Sequence, residues 1–293
     1  MKLSWIWKGA LCVVIYIVAS ALSGMVVSAL GLRLPTSMTE GTRAQLFLRA
    51  LWATPILVVG LGPLAARLGG SWAARFAALS MLTYLSLSLN SVLETRVFTS
   101  MLKTGGSAFL LAHGVLPALA LCAALALWFG GAAGPFPIPR YGVVGWTWRI
   151  AVAVLAFPVA YFIFGAMVIP IVAPYYTGGG SIGLAVPPVA LILRTVFVRS
   201  SIFLVASLPA VLLWIGSRRG LIGALGWAHA VLVGIFGLAQ THLLPPILRI
   251  THSIEITADS FAYAAVLVWL FVLRSPAAAG SGRKTQGAGW RIH

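Results

Sequence analysis

The sequence predicts an all-α integral membrane protein whose eight transmembrane helices form two parallel four-helix repeats. The first observation is composition: 60% of the 293 residues are hydrophobic and only 8% are charged, with a mean hydropathy of +1.02. Soluble domains carry about a quarter charged residues, so this composition is typical of a membrane protein. The second observation is the spacing of the apolar runs, and the third is an internal sequence repeat.

The apolar runs have the length that a bilayer requires, about 20 residues for each helical span. The first run is too long for the apolar region of a signal peptide, and we expect it to be a retained span. Between the second and third runs, the segment ARLGGSWAAR predicts a very short turn. The predicted spans are residues 9–31, 48–66, 76–97, 107–130, 150–173, 189–216, 221–243 and 254–273.

The distribution of lysine and arginine predicts the orientation, because basic residues are enriched in cytoplasmic loops. With eight spans both termini lie on one side, and that side receives the majority of the 20 basic residues. The four acidic residues fall toward the other side. We therefore expect an N-in/C-in protein of the bacterial cytoplasmic (inner) membrane. The acidic residues are Glu40, Glu94, Glu255 and Asp259.

An internal repeat runs through the chain in preserved order, as is common in transporter folds. A unit of four spans keeps both copies in the same orientation, so the two repeats are predicted to be parallel. The same alignment sets SVLETRVF near HSIEITADSF, with Glu94 opposite Glu255. The other matches are WIWKGALCVV (5–14) with WTWRIAVAVL (146–155), SGMVV (23–27) with FGAMV (164–168), LRALWATP (48–55) with LRTVFVRS (193–200), and Pro63 with Pro209.

The repeat divides the chain into three parts. Residues 1–139 form the first four-span repeat and residues 140–275 the second, joined by a Gly- and Pro-rich linker predicted to be a cytoplasmic loop. Residues 276–293 are small, polar and basic, which predicts a disordered cytoplasmic tail.

The net charge of +16 points to membrane lipids as partners, because the basic residues lie mostly at the ends of apolar runs. No basic patch with interleaved aromatic residues lies on a soluble module, so nucleic acid is rejected as a partner. The two cysteines both fall within apolar runs and form no Cys/His cluster. The sequence therefore predicts neither a cofactor nor a structural metal.

The candidate site lies in the last span, where charge is concentrated in an otherwise apolar chain. At about 100° per residue, five polar side chains occupy about a third of the helix circumference. A charge near the bilayer centre costs on the order of 2.5–3.5 kcal/mol, so such residues mark sites or pair locally. Capping of the helix end is the alternative interpretation. The five are Arg249, His252, Glu255, Asp259 and Tyr263.

A second polar stripe lies in the third span, where Thr83, Ser86, Asn90 and Glu94 follow helical spacing. Although LSLSLNS alternates like a strand, a long apolar run predicts a helix. Two stripes favour a polar cavity inside the bundle over accidental polarity. Asn90 and Glu94 therefore join the candidate site.

Three arginines lie near the outer end of a predicted span, where the span begins. Arg49 and Arg194 are partners in the repeat, and either could snorkel to the interface, pair with Glu94 or Glu255, or bind an anionic group of a substrate. Arg194 therefore joins the candidate site. For Arg199 we expect snorkelling of the side chain to the interface.

Metal and haem chemistry have weaker support. A metal shared by His252, Glu255, Asp259 and the nearby His242 has suitable ligand types, but no signature such as HExxH is present. His229 and His242 lie about 140° apart on one helix, which disfavours paired haem ligation. We expect His229 to be a hydrogen-bonded residue of the bundle.

Two loops have simple structural interpretations. Ser37 and Glu40 have capping-box spacing before the second span. The Gly-rich segment 174–188 is typical of a re-entrant or lid-like loop, and its tyrosine pair, Tyr175 and Tyr176, of an interfacial aromatic belt.

The leading functional hypothesis is a transporter or permease for a small polar or amphiphilic solute. Glu255, Asp259 and His252 would carry coupling protons, since buried carboxylates and imidazoles exchange protons at accessible pH. One alternative is an integral-membrane enzyme acting on a lipid or isoprenoid, with Glu255 or Asp259 as acid/base. The other is a non-catalytic membrane subunit. The sequence assigns no catalytic residue.

Overall fold

The computed structural model describes residues 3–33, 40–102, 106–131, 141–176, 183–241 and 243–272. Four expectations lie wholly or mostly outside these residues: the predicted tail, the predicted cytoplasmic linker between the repeats, His242 and the capping serine Ser37. Most of the Gly-rich turn of segment 174–188, residues 177–182, also lies outside them.

Eight helices long and apolar enough to cross a membrane run through the described residues, which confirms the predicted class of multi-pass, all-helical membrane protein. Their ends differ from the predicted spans by several residues, most at the starts of the second and eighth, because helices extend past the apolar segment. The helices are α1 (Leu3–Ala29), α2 (Glu40–Ala65), α3 (Trp72–Phe98), α4 (Ser107–Trp128), α5 (Val143–Tyr176), α6 (Val189–Leu213), α7 (Arg218–Gln240) and α8 (Pro246–Phe271).

The helices pack into one bundle. Helix α1 packs against α2 and α4, and α5 packs against α6 and α8. Helix α3 packs against α4, and α7 against α8. The two groups are joined where α2 meets α7 and α3 meets α6. Helices that are remote in sequence therefore line a common interior.

At one end of the bundle, the chain segments after α2 and α6 pair with each other. The Gly69 amide donates to the Leu213 carbonyl and the Ile215 amide to the Arg67 carbonyl, both at 2.7 Å. Helices α3 and α7 start beside this pairing, each capped by a serine. These bonds satisfy backbone groups that would otherwise be unpaired at helix ends.

Helices α3 and α7 each contain a wide π-helical turn, at Tyr84–Leu89 in α3 and Val231–Ile235 in α7. The two turns lie against each other in the bundle. The segment LSLSLNS is thus helical, as predicted, although its turn is wider than that of an α-helix. π-Helical turns frequently occur at functional sites.

One predicted correspondence is wrong. Glu94 lies in the third spanning helix and Glu255 in the eighth. In a repeat of four spans, the third helix corresponds to the seventh and the fourth to the eighth. The segments SVLETRVF and HSIEITADSF therefore do not occupy equivalent positions in a four-span repeat.

Candidate functional site

A cavity of about 400 Å³ lies at the end of the bundle where α3, α5 and α7 terminate and where α6 and α8 begin. We call this the Glu94 end. Its walls are mostly apolar and aromatic, with charged groups from three helices. The polar and charged lining residues include Glu94, Tyr161, Tyr176, Arg199, His229, His252, Glu255, Asp259, Ser260 and Tyr263.

The cavity is closed at depth by packing of α6, α7 and α8. Phe203, His229 and Tyr263 are its deepest residues along their helices, and beyond them the three helices bury leucine and alanine side chains in the core. The cavity is thus built from the half of the bundle nearest the Glu94 end.

The structure brings five of the eight candidate residues to this cavity: Glu94, His252, Glu255, Asp259 and Tyr263. Glu255 is 8% exposed and Asp259 is 5% exposed, so neither carboxylate lies in bulk water. Asp259 lies near the middle of α8, about 20 Å along the axis from its first residue. The charged face of α8 is therefore turned into the bundle.

The other three candidates lie off the cavity. Asn90 is fully buried behind it and accepts a hydrogen bond from Arg199. Arg249 lies in the first turn of α8 and does not line the cavity. Arg194 is exposed on α6, because it lies about 140° around the helix from the inward-facing Arg199.

The prediction that Arg199 snorkels to the interface is wrong. Its side chain is only 3% exposed and forms an ion pair with Glu94 at 2.6 Å, from Nη2 to Oε1. Its Nε donates to Asn90 Oδ1 at 2.8 Å. The spacing of five residues from Arg194 is the signal that could have revealed this, because it places the two arginines on different faces of α6.

Three aromatic rings surround the Arg199 guanidinium. Its Cζ lies 5.4 Å from the ring centre of Phe157, 5.7 Å from Tyr161 and 5.6 Å from Phe203. Ring faces attract cations, so this wall stabilises a positive charge that is removed from water. The aromatic residues of α5 carried no recognisable sequence signal, because apolar spans contain many such side chains.

A hydrogen-bond chain joins α5 to α8 at the cavity wall. His252 Nδ1 lies 2.7 Å from Glu255 Oε2, and His252 Nε2 lies 3.2 Å from the Tyr176 hydroxyl. Tyr176 therefore faces the bundle, whereas the aromatic-belt interpretation fits its exposed neighbour Tyr175. This series of hydrogen bonds can orient Glu255 and pass a proton between its members.

The second oxygen of Glu255 faces α5. A Cβ atom placed on Gly165 would lie 3.4 Å from Glu255 Oε1, so the glycine leaves room for the carboxylate. Helix α5 thus contributes both space and a hydrogen-bond partner to the charged face of α8.

Asp259 differs from the other carboxylates because its Oδ1 is buried without a hydrogen-bond partner. Buried polar atoms are nearly always satisfied, and an exception calls for an explanation. Its position on the cavity wall means that a ligand or a proton can satisfy it.

Comparisons of the chain with protein-family models, with curated proteins and with solved structures find no match.

His229 is a hydrogen-bonded bundle residue, as predicted, and it also lies on the cavity floor. Its Nε2 lies 2.6 Å from the Ser207 hydroxyl oxygen, and that hydroxyl donates to the Phe203 carbonyl at 2.6 Å. A carbonyl has no proton to give, so the single Ser207 proton lies between Ser207 and Phe203. With that proton committed to the carbonyl, the contact with Ser207 is a hydrogen bond only if His229 Nε2 carries a proton, and in a neutral imidazole Nδ1 is then an acceptor.

The substitution Ser207→Ala is expected to lower the free energy of unfolding by about 1–3 kcal/mol, because it leaves His229 Nε2–H buried without an acceptor. Titration with sodium dodecyl sulfate, followed by tryptophan fluorescence, measures this loss. Ser201→Ala is the matched control, since Ser201 makes the same bond to the carbonyl four residues earlier on the exposed side of α6. Equal losses in the two variants would contradict the assigned role of His229.

Proposed function

We propose that the protein is a transporter that binds a small polar or amphiphilic solute in the cavity at the Glu94 end and moves it across the membrane. The observation that carries the proposal is the convergence of Glu94, Glu255 and Asp259 on one cavity with apolar walls. Such a cavity suits a solute that carries both polar and apolar groups. A subunit that only packs against a partner has no need for buried charges around open space.

We further propose that the helices form two parallel four-helix repeats, in which α1–α4 correspond in order to α5–α8. Helix packing supports this relation, because contacts of α1 with α2 and α4 are matched by contacts of α5 with α6 and α8. The same correspondence converts the contact between α2 and α7 into the contact between α6 and α3, which is also present. Serine caps and π-helical turns recur in α3 and α7.

Rocking of one repeat against the other would open the cavity alternately to the two sides of the membrane. In the N-in/C-in orientation, proposed for a bacterial inner membrane, the Glu94 end faces outward. The structure then corresponds to a state whose closed side is the packing of α6, α7 and α8 beyond His229.

Alternating access can be tested without knowing the solute. We expect a cysteine at Ser260, a cavity residue, to react with a membrane-impermeant maleimide both in intact spheroplasts and in inverted vesicles. The native Cys12 and Cys122 are buried, and the unsubstituted protein measures their background. Gly31→Cys and Arg219→Cys, both at exposed positions, should react from outside only and from inside only, respectively.

Labelling of Ser260→Cys from one side alone would refute transport. A proton-coupled mechanism also predicts that pH shifts the ratio of labelling from the two sides. We expect Glu255→Gln to reduce that shift, and an unchanged shift would count against coupling through Glu255.

An enzyme acting on a membrane lipid or isoprenoid is the second candidate. The specific observation in its favour is the chain from Tyr176 through His252 to Glu255, because an imidazole held by a carboxylate is a common arrangement for proton transfer to a substrate. One-sided labelling of Ser260→Cys is the result that this candidate predicts.

A further inference from the structure

The charges that line the cavity are unequal. Three carboxylates, Glu94, Glu255 and Asp259, face one guanidinium, that of Arg199. The guanidinium is already paired with Glu94 at 2.6 Å. Glu255 is held by His252 at 2.7 Å. Among the described residues, the carboxylate of Asp259 has no ion-pair partner of this kind.

Asp259 is a buried acceptor that faces the cavity. It is 5% exposed, lies on the cavity wall, and its Oδ1 has no hydrogen-bond partner. An unpaired buried acceptor loses the hydrogen bonds that it made in water. A ligand with an N–H donor and a positive charge restores them, and charge-assisted hydrogen bonds are the strongest kind.

The floor of the cavity offers a second acceptor. If Ser207 donates to the Phe203 carbonyl, a hydrogen bond between Ser207 and a neutral His229 places the ring proton on Nε2. His229 Nδ1 is then an acceptor on a residue that lines the same cavity as Asp259. Two such acceptors on one cavity favour a ligand that donates hydrogen bonds.

The remaining wall is aromatic. Phe157 packs edge-on against Phe203 at 4.8 Å and against Tyr263 at 5.6 Å between ring centres. This surface already packs around one cation, that of Arg199. Rings of this kind accept an organic cation by its charge and its apolar body together.

We propose that the ligand of this cavity is an amphiphilic amine, bound with its ammonium group at Asp259 and its apolar chain along the aromatic wall. This inference rests on the proposed function and specifies its solute class. Among the residues that the structure describes, no group of three His, Cys, Asp or Glu side chains is placed to hold a metal ion. An anionic solute would face three carboxylates and an arginine that is already paired.

The test uses three probes of equal chain length and different charge: hexylammonium, hexanol and hexanoate. Their affinities for the purified full-length protein are measured by isothermal titration calorimetry, with protein-free micelles as the blank. We expect hexylammonium to bind about tenfold more tightly than hexanol, and hexanoate to bind most weakly. Asp259→Asn should lower hexylammonium affinity about tenfold and leave hexanol affinity unchanged.

Arg194→Gln is the matched control, because it also changes one charge at the Glu94 end but lies outside the cavity; all three affinities should stay as in the unsubstituted protein. Equal affinities for hexylammonium and hexanol would overturn the amine assignment while leaving a solute-binding cavity. Tightest binding of hexanoate would overturn it in favour of an anion at Arg199. Absence of binding for all three probes would count against both the amine and the solute-binding cavity. The probe series in the unsubstituted protein decides the question even if Asp259→Asn does not fold.

Discussion

Replacing Glu94 with leucine is expected to lower the free energy of unfolding by about 3–5 kcal/mol, because it leaves the buried guanidinium of Arg199 without its carboxylate partner. Arg199 is 3% exposed, whereas Glu94 is 31% exposed. Without Glu94, Arg199 keeps the oxygen of Asn90 but loses its only ion-pair partner within 4 Å among the described residues. Titration with sodium dodecyl sulfate measures the loss.

The partner substitution should cost less. Arg199→Met leaves Glu94 able to reach water, so we expect a smaller loss than for Glu94→Leu. In the double variant both charges are gone, and we expect most of the stability to return, since apolar replacement of a buried pair is often close to neutral. Arg194→Met, an exposed arginine on the same helix, should change the stability by no more than about 0.5 kcal/mol. Additive losses in the double variant would refute a direct Arg199–Glu94 interaction.

Replacing Gly226 with valine is expected to cost about 1–3 kcal/mol or more, because α7 and α8 touch at this position. A Cβ on Gly226 would lie 2.9 Å from Phe261 Cγ and 3.1 Å from Phe261 Cα. The Cα belongs to the backbone and cannot rotate away, so the helices must separate. The same unfolding titration measures the cost.

Gly223→Val provides a close control for this prediction. Gly223 lies one turn earlier on α7, and a Cβ there would meet nothing within 4 Å. Both substitutions change helix propensity in the same way, so the difference between them reports the contact with α8 alone. Equal losses of stability would show that the close approach of α7 and α8 is not what makes Gly226 important.

The candidate site was predictable in part from one helix. Helical periodicity placed His252, Glu255 and Asp259 on one face of α8, and the structure turns that face into the cavity. The same arithmetic included Arg249, which lies in the first turn and lines no part of the cavity. Helical periodicity shows on which face of the helix a residue lies. It does not show which residues of other helices lie next to it at a given position along the helix axis.

Arg199 and Tyr176 illustrate the opposite case. Each was interpreted from its place at the end of a span, as a snorkelling arginine and an interfacial tyrosine. Their partners Glu94 and His252 lie more than 70 residues away in the chain, on other helices. Nothing local in the sequence distinguishes an end residue that faces lipid from one that faces a distant helix.

The sequence by itself determined the class of protein, the number of spans and their approximate limits. It could do so because a bilayer imposes its length and polarity on each span separately, whatever the other helices do. Only the tertiary structure decided that Arg199 neutralises Glu94 and that Asp259 is left unpaired on a cavity wall. Those outcomes depend on how α3, α5, α6, α7 and α8 pack together, and packing between remote helices is a property of the whole bundle.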